Sequence, residues 1–391
     1  MPIQNFDIVD FLANYWQQKP LLIRNAFPDF VNPLEPEDLA GLACEPEIES
    51  RLITDTDGEW NVSHGPIAEE TFNTLADSHW TLLVQAVDHW VPEVTALLDS
   101  FIFIPSWRID DIMVSYATRG GSVGPHFDNY DVFLLQGAGK RRWQVGGQYS
   151  SSSTLQNNPE LHLLADFTCE QEWVLEAGDM LYIPPRFGHW GTAIDNDCMT
   201  YSIGFRAPSH REILSGFCDE TLDSLSEELR YSDPGLLPQE NGGEIAHQAI
   251  DAVQSILQHY VNDKQRVAQW FGRYMTQQKY ASETSNDGDS QLNQNDLAQL
   301  LGEQSSIHRD PASRFSFIES NGPELPFSLF VNGVCFDGHG SDFRTLSRAL
   351  TTNGRLPVTS VMSLLKDPEC LQLLLTLVNQ GSLYFEDEID S

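Results

Sequence analysis

The strongest constraint on the fold comes from three polar residues that the chain has to bring together from distant positions. His126 and Asp128 lie two residues apart, and His189 follows 61 positions after Asp128. In an extended strand, residues two apart share a face, so these first two side chains can point into one pocket while Phe127 packs the other way. Segment 178–189 reads as a turn, a short apolar strand, a second turn with two prolines, and then His189. We therefore expect separate strands to converge on one interior site.

Two imidazoles and one carboxylate form a distinctive set of metal ligands. Bound to one face of an octahedral ion they leave three positions open, which is typical of non-haem iron(II) sites that carry out oxygen chemistry. An isolated His-x-Asp pattern often arises by chance, and most such histidines are solvated or are satisfied core residues. Here a Gly/Ser/Pro turn over 120–125 precedes the motif, and the strand-like segment 132–136 follows it. This context favours a metal site.

Residues 109–205 indicate an antiparallel barrel or jelly roll. Short β segments alternate there with Gly, Pro and Asn/Asp turns, which is the composition of such folds. Gly137–Gly139 lies between two of these segments and predicts a hairpin. Before the barrel, the spacing of apolar residues predicts a helix over 6–18 that ends before Pro20.

The chain changes in character after Pro208. Segments 212–228 and 244–280 are long, polar and periodic, as helices are, and 282–290 is polar without an apolar period and is predicted to be a linker. In the last hundred residues, helices followed by a β-hairpin at 381–385 suggest a winged-helix shape. We expect three domains, with the bounds 1–207, 208–281 and 291–391.

Charge limits the choice of partner. The 57 acidic and 22 basic residues give a net charge of −35, which repels nucleic acid phosphates and attracts cationic partners. Residues 291–391 hold 13 acidic and 6 basic residues, a net charge of −7, which is the wrong sign for a DNA-binding winged helix. We expect a basic protein or peptide as partner and no direct binding of nucleic acid. Acidity that only maintains solubility, or suits a saline environment, is an open alternative.

Two further features point to a cytoplasmic protein. No apolar run approaches the length that crosses a bilayer, and the N-terminal residues lack a basic segment followed by an apolar one. The six cysteines are scattered without a Cys-x-x-Cys pair, which favours reduced thiols. We therefore expect cytoplasmic localisation and no membrane association.

Four segments resemble the bacterial ribosomal oxygenases of the JmjC group, and the resemblance runs through most of the chain: Trp107–Tyr116, Gly124–Phe133, Tyr182–Pro185 and Tyr201–Pro208. It implies an α+β architecture with a double-stranded β-helix (the JmjC or cupin jelly roll), a helical dimerisation region and a C-terminal winged-helix-like domain. It also implies a homodimer that uses iron(II), 2-oxoglutarate and dioxygen. The expected reaction is hydroxylation of the β-carbon of an arginine in large-subunit ribosomal protein sixteen.

The resemblance also assigns residues to this site. It implies that His126, Asp128 and His189 bind the metal, that Arg141 binds the distal carboxylate of 2-oxoglutarate, and that Ser115 supplies a hydroxyl to the same molecule. In a strand, Arg141 faces opposite to its two basic neighbours, which favours an inward guanidinium over a solvated basic run. A guanidinium can hold a carboxylate through two parallel hydrogen bonds. For Ser115, an ordinary strand serine is an equal alternative.

Several alternatives stay open. Related enzymes often have lysine in place of Arg141, and Trp190 is bulkier than expected after the last ligand, so the shape of the pocket could differ. A JmjC demethylase acting on N-methyl groups would share all the iron and cosubstrate residues, whereas a non-oxygenase metal-binding cupin would not need Arg141. The acidic residue that meets a substrate guanidinium is not identified, and the candidates include Asp110, Asp111 and Asp131.

Overall fold

The computed structural model divides into two compact units, Met1–Ala207 and Pro208–Ser391. The structure describes residues 2–56, 58–158, 160–280, 291–319, 326–352 and 354–385. The segment predicted to be a linker, 282–290, lies outside these described residues. Among the helices that are described, none is both long and apolar enough to cross a membrane.

The first unit contains two antiparallel sheets. Their strands are β1 (Leu21–Ile23), β2 (Ser50–Thr56), β3 (Glu59–His64), β4 (Trp80–Val84), β5 (Ile109–Ala117), β6 (Asp131–Ala138), β7 (Lys140–Gln148), β8 (Gln171–Glu176), β9 (Met180–Ile183), β10 (Phe187–Ala193) and β11 (Cys198–Phe205). The eight-stranded sheet has the order β1-β9-β6-β11-β5-β4-β2-β3, and the three-stranded sheet has the order β10-β7-β8.

Alternate residues of the strands hold the two sheets together. Val132 and Leu134 of β6 pack against Trp143 and Val145 of β7 in one buried cluster. Phe133 lies between the first two in sequence and points the opposite way, into a larger core on the outer face of the eight-stranded sheet. β6 is therefore buried on both faces, which explains its continuous apolar run. The double-stranded β-helix predicted from the sequence is confirmed.

The hairpin predicted at Gly137–Gly139 is wrong. β6 pairs with β9 and β11, whereas β7 pairs with β8 and β10, so the chain crosses from one sheet to the other at this turn. Gly139 has φ +60°, and a Cβ there would lie 2.5 Å from Asp195 Oδ1 and from the Asp197 carbonyl oxygen. A turn between sheets needs the same small, conformationally free residue as a hairpin, so the local signal is the same for both.

Short helices cover the outer face of the eight-stranded sheet: α1 (Ile8–Asn14), α2 (Pro36–Cys44), α3 (Glu69–Phe72) and α4 (Pro92–Thr95), with 3₁₀ turns at Val87–His89, Ala96–Phe101 and Ser106–Arg108. Asp7 caps α1, because its side chain accepts hydrogen bonds from the first-turn nitrogens of Val9 and Asp10. On the buried side of α1, the Phe11 ring lies 4.8 Å from the Tyr182 ring. The predicted helix over 6–18 is thus shorter than expected, and it ends before Pro20 as expected.

The second unit mixes helices with short strands. It contains α5 (His210–Asp223), α6 (His247–Val261), α7 (Lys264–Thr276), α8 (Gln294–Glu303), α9 (Gly340–Thr352), α10 (Val358–Val361), α11 (Pro368–Asn379), β12 (Ser306–Arg309), β13 (Phe315–Ile318), β14 (Phe327–Val331), β15 (Val334–Gly338), β16 (Arg355–Pro357) and β17 (Leu383–Tyr384), with a 3₁₀ turn at Leu364–Lys366. The strands form two three-stranded sheets, β13-β14-β15 and β16-β12-β17. Phe327, Leu346 and Leu374 are fully buried in the core of this unit.

Within the described residues, the segment 381–385 does not form the predicted hairpin. β17 pairs instead with β12, and Tyr384 lies opposite His308. The sequence pattern identifies an extended segment correctly, but it contains no information about a partner strand more than seventy positions away.

Candidate metal centre

Three side chains that can bind a metal ion lie together in the first unit. The ligand atoms of His126, Asp128 and His189 all lie within 4.8 Å of one another. Asp128 Oδ2 is 3.5 Å from His189 Nε2 and 3.9 Å from His126 Nε2. These distances exceed those of hydrogen bonds, so the three atoms surround a shared space. Across the described ranges, no other group of three or more His, Cys, Asp or Glu residues is this compact.

Backbone hydrogen bonds hold the two histidines side by side. His126 N donates to the His189 carbonyl at 3.0 Å, and His189 N donates to the His126 carbonyl at 2.8 Å. Arg186 N donates to the Asp128 carbonyl at 2.6 Å. The loop that carries two of the candidate ligands is therefore attached to β10, which carries the third.

Each imidazole has its Nδ1 occupied by a carbonyl. His126 Nδ1 lies 2.9 Å from the Gly124 oxygen, and His189 Nδ1 lies 3.0 Å from the Phe187 oxygen. A carbonyl oxygen only accepts hydrogen bonds, so both Nδ1 atoms must carry a proton. In the neutral ring Nε2 then has a free lone pair, and both Nε2 atoms face Asp128.

Burial keeps His189 neutral. Its imidazole is almost completely buried, and desolvation, together with the neighbouring His126, lowers its pKa to about 4. A neutral imidazole is the form that binds metals. Two imidazole nitrogens and one carboxylate oxygen that face one space are a ligand set suited to iron(II) with open positions.

Ser122 and Trp190 hold the turn that precedes His126. Ser122 Oγ donates to the Gly191 carbonyl at 2.7 Å, and it accepts from Gly124 N at 3.0 Å and from Trp190 Nε1 at 2.9 Å. Since neighbouring residues of β10 point to opposite faces, Trp190 faces away from His189. Its bulk lies against the turn and does not intrude among the candidate ligands.

Arg141 lies inside the barrel with part of its guanidinium unpaired. Its side chain is 3% exposed, whereas its neighbours Lys140 and Arg142 are exposed. Its Nη2 is buried and has no hydrogen-bond partner among the described residues. The guanidinium carbon lies 5.7 Å from the Trp143 ring, which in turn lies 5.9 Å from the His189 ring. A buried unpaired cation is costly, so this interior suits an anionic ligand.

Ser115 belongs to a row of polar residues on three adjacent strands. It is buried on β5 and lies opposite Thr200 of β11. Thr200 in turn lies opposite Gln136 of β6, and its Oγ1 donates to Gln136 Oε1 at 3.1 Å. Residues opposite each other on one face of a sheet have Cβ atoms about 5 Å apart. The three side chains therefore form one polar strip.

Asp131 is not available to a substrate, contrary to its place among the candidate acidic residues. It is fully buried, and it accepts hydrogen bonds from Tyr182 Oη at 2.6 Å, Gln17 Nε2 at 2.9 Å and Arg108 Nη2 at 3.0 Å. It therefore serves as an internal anchor for the segments on the outer face. Asp110 forms an ion pair with Arg206 at 3.3 Å, whereas Asp111 is buried on β5.

Sequence reasoning missed one contact of Arg141. Its Nε donates to Cys198 Sγ at 3.3 Å, and Gln136 Nε2 donates to the same sulfur at 3.4 Å. Cys198 begins β11, in a different sheet from Arg141 of β7. Nothing in the sequence around Cys198 indicates this contact. The only available signal is that Cys198 and Thr200 lie two residues apart in a strand, which places their side chains on the same face.

Comparisons with known proteins support this description. Residues 96–213 match the JmjC domain family, and residues 255–384 match the ROXA-like winged helix family. The ribosomal protein uL16 3-hydroxylase of Escherichia coli is 37% identical over 377 residues, which cover 96% of this chain and 97% of the relative. A probable ribosomal oxygenase of Haemophilus influenzae is 42% identical over 257 residues, covering 63% of this chain and 62% of the relative.

Solved structures show the same similarity. The X-ray structure of Escherichia coli YcfD has a TM-score of 0.89 and 35% identity, and the match covers 99% of this chain and 100% of that one. YcfD, a ribosomal oxygenase, in complex with cobalt and 2-oxoglutarate has a TM-score of 0.86 and 34% identity, with 99% of each chain covered. These matches confirm the predicted combination of a JmjC barrel with a C-terminal winged helix.

Proposed function

This chain belongs to the bacterial ribosomal oxygenases of the JmjC group, and we propose on that premise that it is an iron(II)- and 2-oxoglutarate-dependent hydroxylase of a ribosomal protein. The observation that carries the proposal is the combination of a compact His126/Asp128/His189 triad with the buried, partly unpaired guanidinium of Arg141. In the relative with cobalt and 2-oxoglutarate, a metal and this cosubstrate are bound together.

We assign the roles in the site as follows. His126, Asp128 and His189 hold iron(II), and Arg141 binds the distal carboxylate of 2-oxoglutarate. Ser115, on the polar strip beside Thr200, supplies a hydroxyl to the same cosubstrate. The bound iron, with 2-oxoglutarate and dioxygen, supplies oxidising power sufficient to hydroxylate an unactivated C–H bond while 2-oxoglutarate is converted to succinate and carbon dioxide.

The chain itself contributes positioning and exclusion of water. Trp143 and Val145 are buried on the strand that runs from Arg141 past His189, so a cosubstrate bound there would lie against apolar side chains. In such an interior, the attraction between a guanidinium and a carboxylate is stronger than in water. The bridge between His126 and His189 keeps the metal ligands in place without help from the cosubstrate.

For the substrate, we propose an arginine on a basic ribosomal protein, hydroxylated at its β-carbon in the cytoplasm. A relative that matches nearly the whole length of the chain is a ribosomal protein uL16 3-hydroxylase. A net charge of −35 supports the capture of a cationic protein loop. Asp110 and Asp111, both on β5, stay candidates for the contact with a substrate guanidinium.

Mass spectrometry of the substrate tests this function. We expect that ribosomal protein uL16, incubated with the enzyme, iron(II), 2-oxoglutarate and air, gains one oxygen atom on a single arginine. Loss of a methylene unit from a methylated substrate would instead establish a demethylase. Turnover of 2-oxoglutarate to succinate without a change in uL16 would contradict the choice of substrate, and absence of both reactions would contradict the oxygenase itself.

We also propose that α6 mediates homodimerisation. Within this helix no residue is buried, although its apolar residues Ile250, Val253, Leu257 and Val261 follow a helical spacing along one face and are 49–63% exposed. Exposed apolar faces of this kind commonly mark protein interfaces.

A Leu257→Glu variant tests the dimer. Burying one leucine contributes about 1.5–3 kcal/mol, and a buried carboxylate would add a further cost, so the variant should run as a monomer in light scattering where the wild type runs as a dimer. Ser255→Glu adds the same charge to the opposite, exposed side of α6 and should leave the dimer intact. A monomeric wild type, or a dimeric Leu257→Glu variant, would contradict the proposal.

A further inference from the structure

We propose that Cys198 is a positioning residue for the cosubstrate, because its sulfur orients the Arg141 guanidinium without neutralising it. This inference rests on the proposed function, since it concerns how Arg141 is presented to 2-oxoglutarate. It adds a role for a residue that binds neither the metal nor the cosubstrate directly.

The contacts of Cys198 form a closed polar cluster in the barrel interior. Arg141 Nε donates to Cys198 Sγ at 3.3 Å, and Gln136 Nε2 donates to the same atom at 3.4 Å. Gln136 is itself held from both ends of its amide, because its Nε2 donates to the Ala138 carbonyl at 2.6 Å and its Oε1 accepts from Thr200 at 3.1 Å. Every side chain in this cluster is at least 97% buried.

Small residues surround Cys198, and together with the contact of Arg141 Nε they restrict the guanidinium to one orientation. Cys198 packs with Ala117 and Ala193 in a separate buried cluster, and Ala193 lies opposite Arg141 in the pairing of β10 with β7. The Nε contact fixes one edge of the planar guanidinium against β11. The Nη2 atom then remains buried and unpaired among the described residues, and it is available to a ligand carboxylate.

The chemistry of the acceptor matters because the cation must stay available. A buried arginine is usually paired with a carboxylate, which would satisfy its donors and compete with an incoming anion. A thiol is a weak acceptor that carries no charge, so it can orient one N–H while the full positive charge remains for the ligand. Arg141 and Cys198 come from different sheets, so the contact also fixes the guanidinium relative to the polar strip that includes Ser115.

Binding of two 2-oxo acids to the full-length protein tests this inference. The protein is loaded with manganese(II), and dissociation constants are measured by titration calorimetry without turnover. 2-Oxoglutarate is compared with 2-oxopentanoate, which has a methyl group in place of the distal carboxylate. The ratio of the two constants isolates the contribution of the carboxylate that Arg141 is proposed to bind.

We expect Cys198→Ala to weaken binding of 2-oxoglutarate about tenfold, as loss of a hydrogen bond to a charged group does. Its affinity for 2-oxopentanoate should change by less than about twofold, because that ligand makes no use of the guanidinium. Cys198→Ser restores a neutral acceptor and should recover most of the preference for 2-oxoglutarate. Cys370→Ala, which truncates a buried cysteine of the second unit, should bind both ligands as the wild type does.

Either of two results with Cys198→Ala would overturn the inference and leave the proposed function intact. The first is an unchanged affinity for 2-oxoglutarate, and the second is an equal loss of affinity for both ligands, which would indicate a purely structural role. Failure of the serine variant to recover the preference would also overturn it, since a neutral acceptor would then be insufficient. If the wild type binds neither 2-oxo acid, the proposed function fails together with the inference.

Discussion

The His126→Ala variant is expected to fold and to lose both metal affinity and hydroxylase activity by more than about 100-fold. Changes to groups that only hydrogen-bond to a metal ligand cost roughly 10–100-fold in affinity or activity, and removal of a ligand should exceed this range. His126 is the better choice for truncation because its side chain is 25% exposed, whereas that of His189 is 4% exposed. Truncation of the more exposed side chain leaves a smaller cavity, which limits the loss of stability. Calorimetric titration with manganese(II) measures the affinity, and mass spectrometry of uL16 measures the activity.

His64→Ala is the matched control for this experiment. The His64 side chain is 65% exposed and its Nε2 lies 3.1 Å from Glu160, outside the candidate ligand set. This variant should match the wild type in its affinity for manganese(II) and in the mass spectrometric assay with uL16. Wild-type metal affinity and activity in His126→Ala would show that the triad is not the metal site.

The barrel could be predicted because its information is local. Short segments with a period of two, separated by Gly and Pro turns, indicate antiparallel strands whatever their partners are. Which strands pair with one another is not determined by the local sequence, and both errors in strand pairing have this cause. The sequence around Gly139 predicts a hairpin turn although the residue connects two sheets. Likewise, 381–385 is predicted to be a hairpin although β17 pairs with the distant β12.

The candidate site also has a part that could be predicted from the sequence and a part that could not. His126 and Asp128 are two residues apart in one motif, so their common direction follows from the sequence alone. The direction of the Asp131 side chain cannot be predicted in this way. β6 is apolar on both faces, so its sequence pattern does not show which side chains point into the barrel and which point to the outer face. The contact between Arg141 and Cys198 was also beyond prediction, since it joins two sheets whose relative placement depends on the whole first unit.

Arg141→Met is expected to abolish the preference for 2-oxoglutarate and, in the absence of ligand, to make the protein more stable. The wild type buries a guanidinium whose Nη2 is unpaired among the described residues, and burial of an incompletely satisfied charge is unfavourable. Replacement of buried ionic groups by apolar residues of similar volume is often neutral or stabilising by about 1–4 kcal/mol. Methionine fills much of the same volume beside Trp143. The thermal midpoint of the manganese-loaded chain should therefore rise in the variant.

The same experiment with cosubstrate present should stabilise the wild type far more than the variant. A ligand that binds only the native state stabilises it by about 2.7 kcal/mol at 100 times its dissociation constant. The wild type should gain this stabilisation from 2-oxoglutarate, and Arg141→Met should gain little, because it lacks the cation that attracts the distal carboxylate. Arg142→Met removes the exposed neighbouring arginine on the opposite face of β7. Without ligand, Arg142→Met should be as stable as the wild type. With 2-oxoglutarate present, it should be stabilised as much as the wild type is.

A site that binds an anion through a buried cation has to tolerate that cation when the anion is absent. The cost appears as lower stability of the free protein, and binding offsets it. If Arg141→Met is destabilised without ligand, the guanidinium must already be satisfied within the barrel, and its proposed role would be wrong. If the variant is stabilised and still prefers 2-oxoglutarate over 2-oxopentanoate, the unpaired guanidinium is real but another cation binds the distal carboxylate. Higher stability combined with lost preference is the outcome that the geometry of Arg141, Cys198 and Trp143 supports.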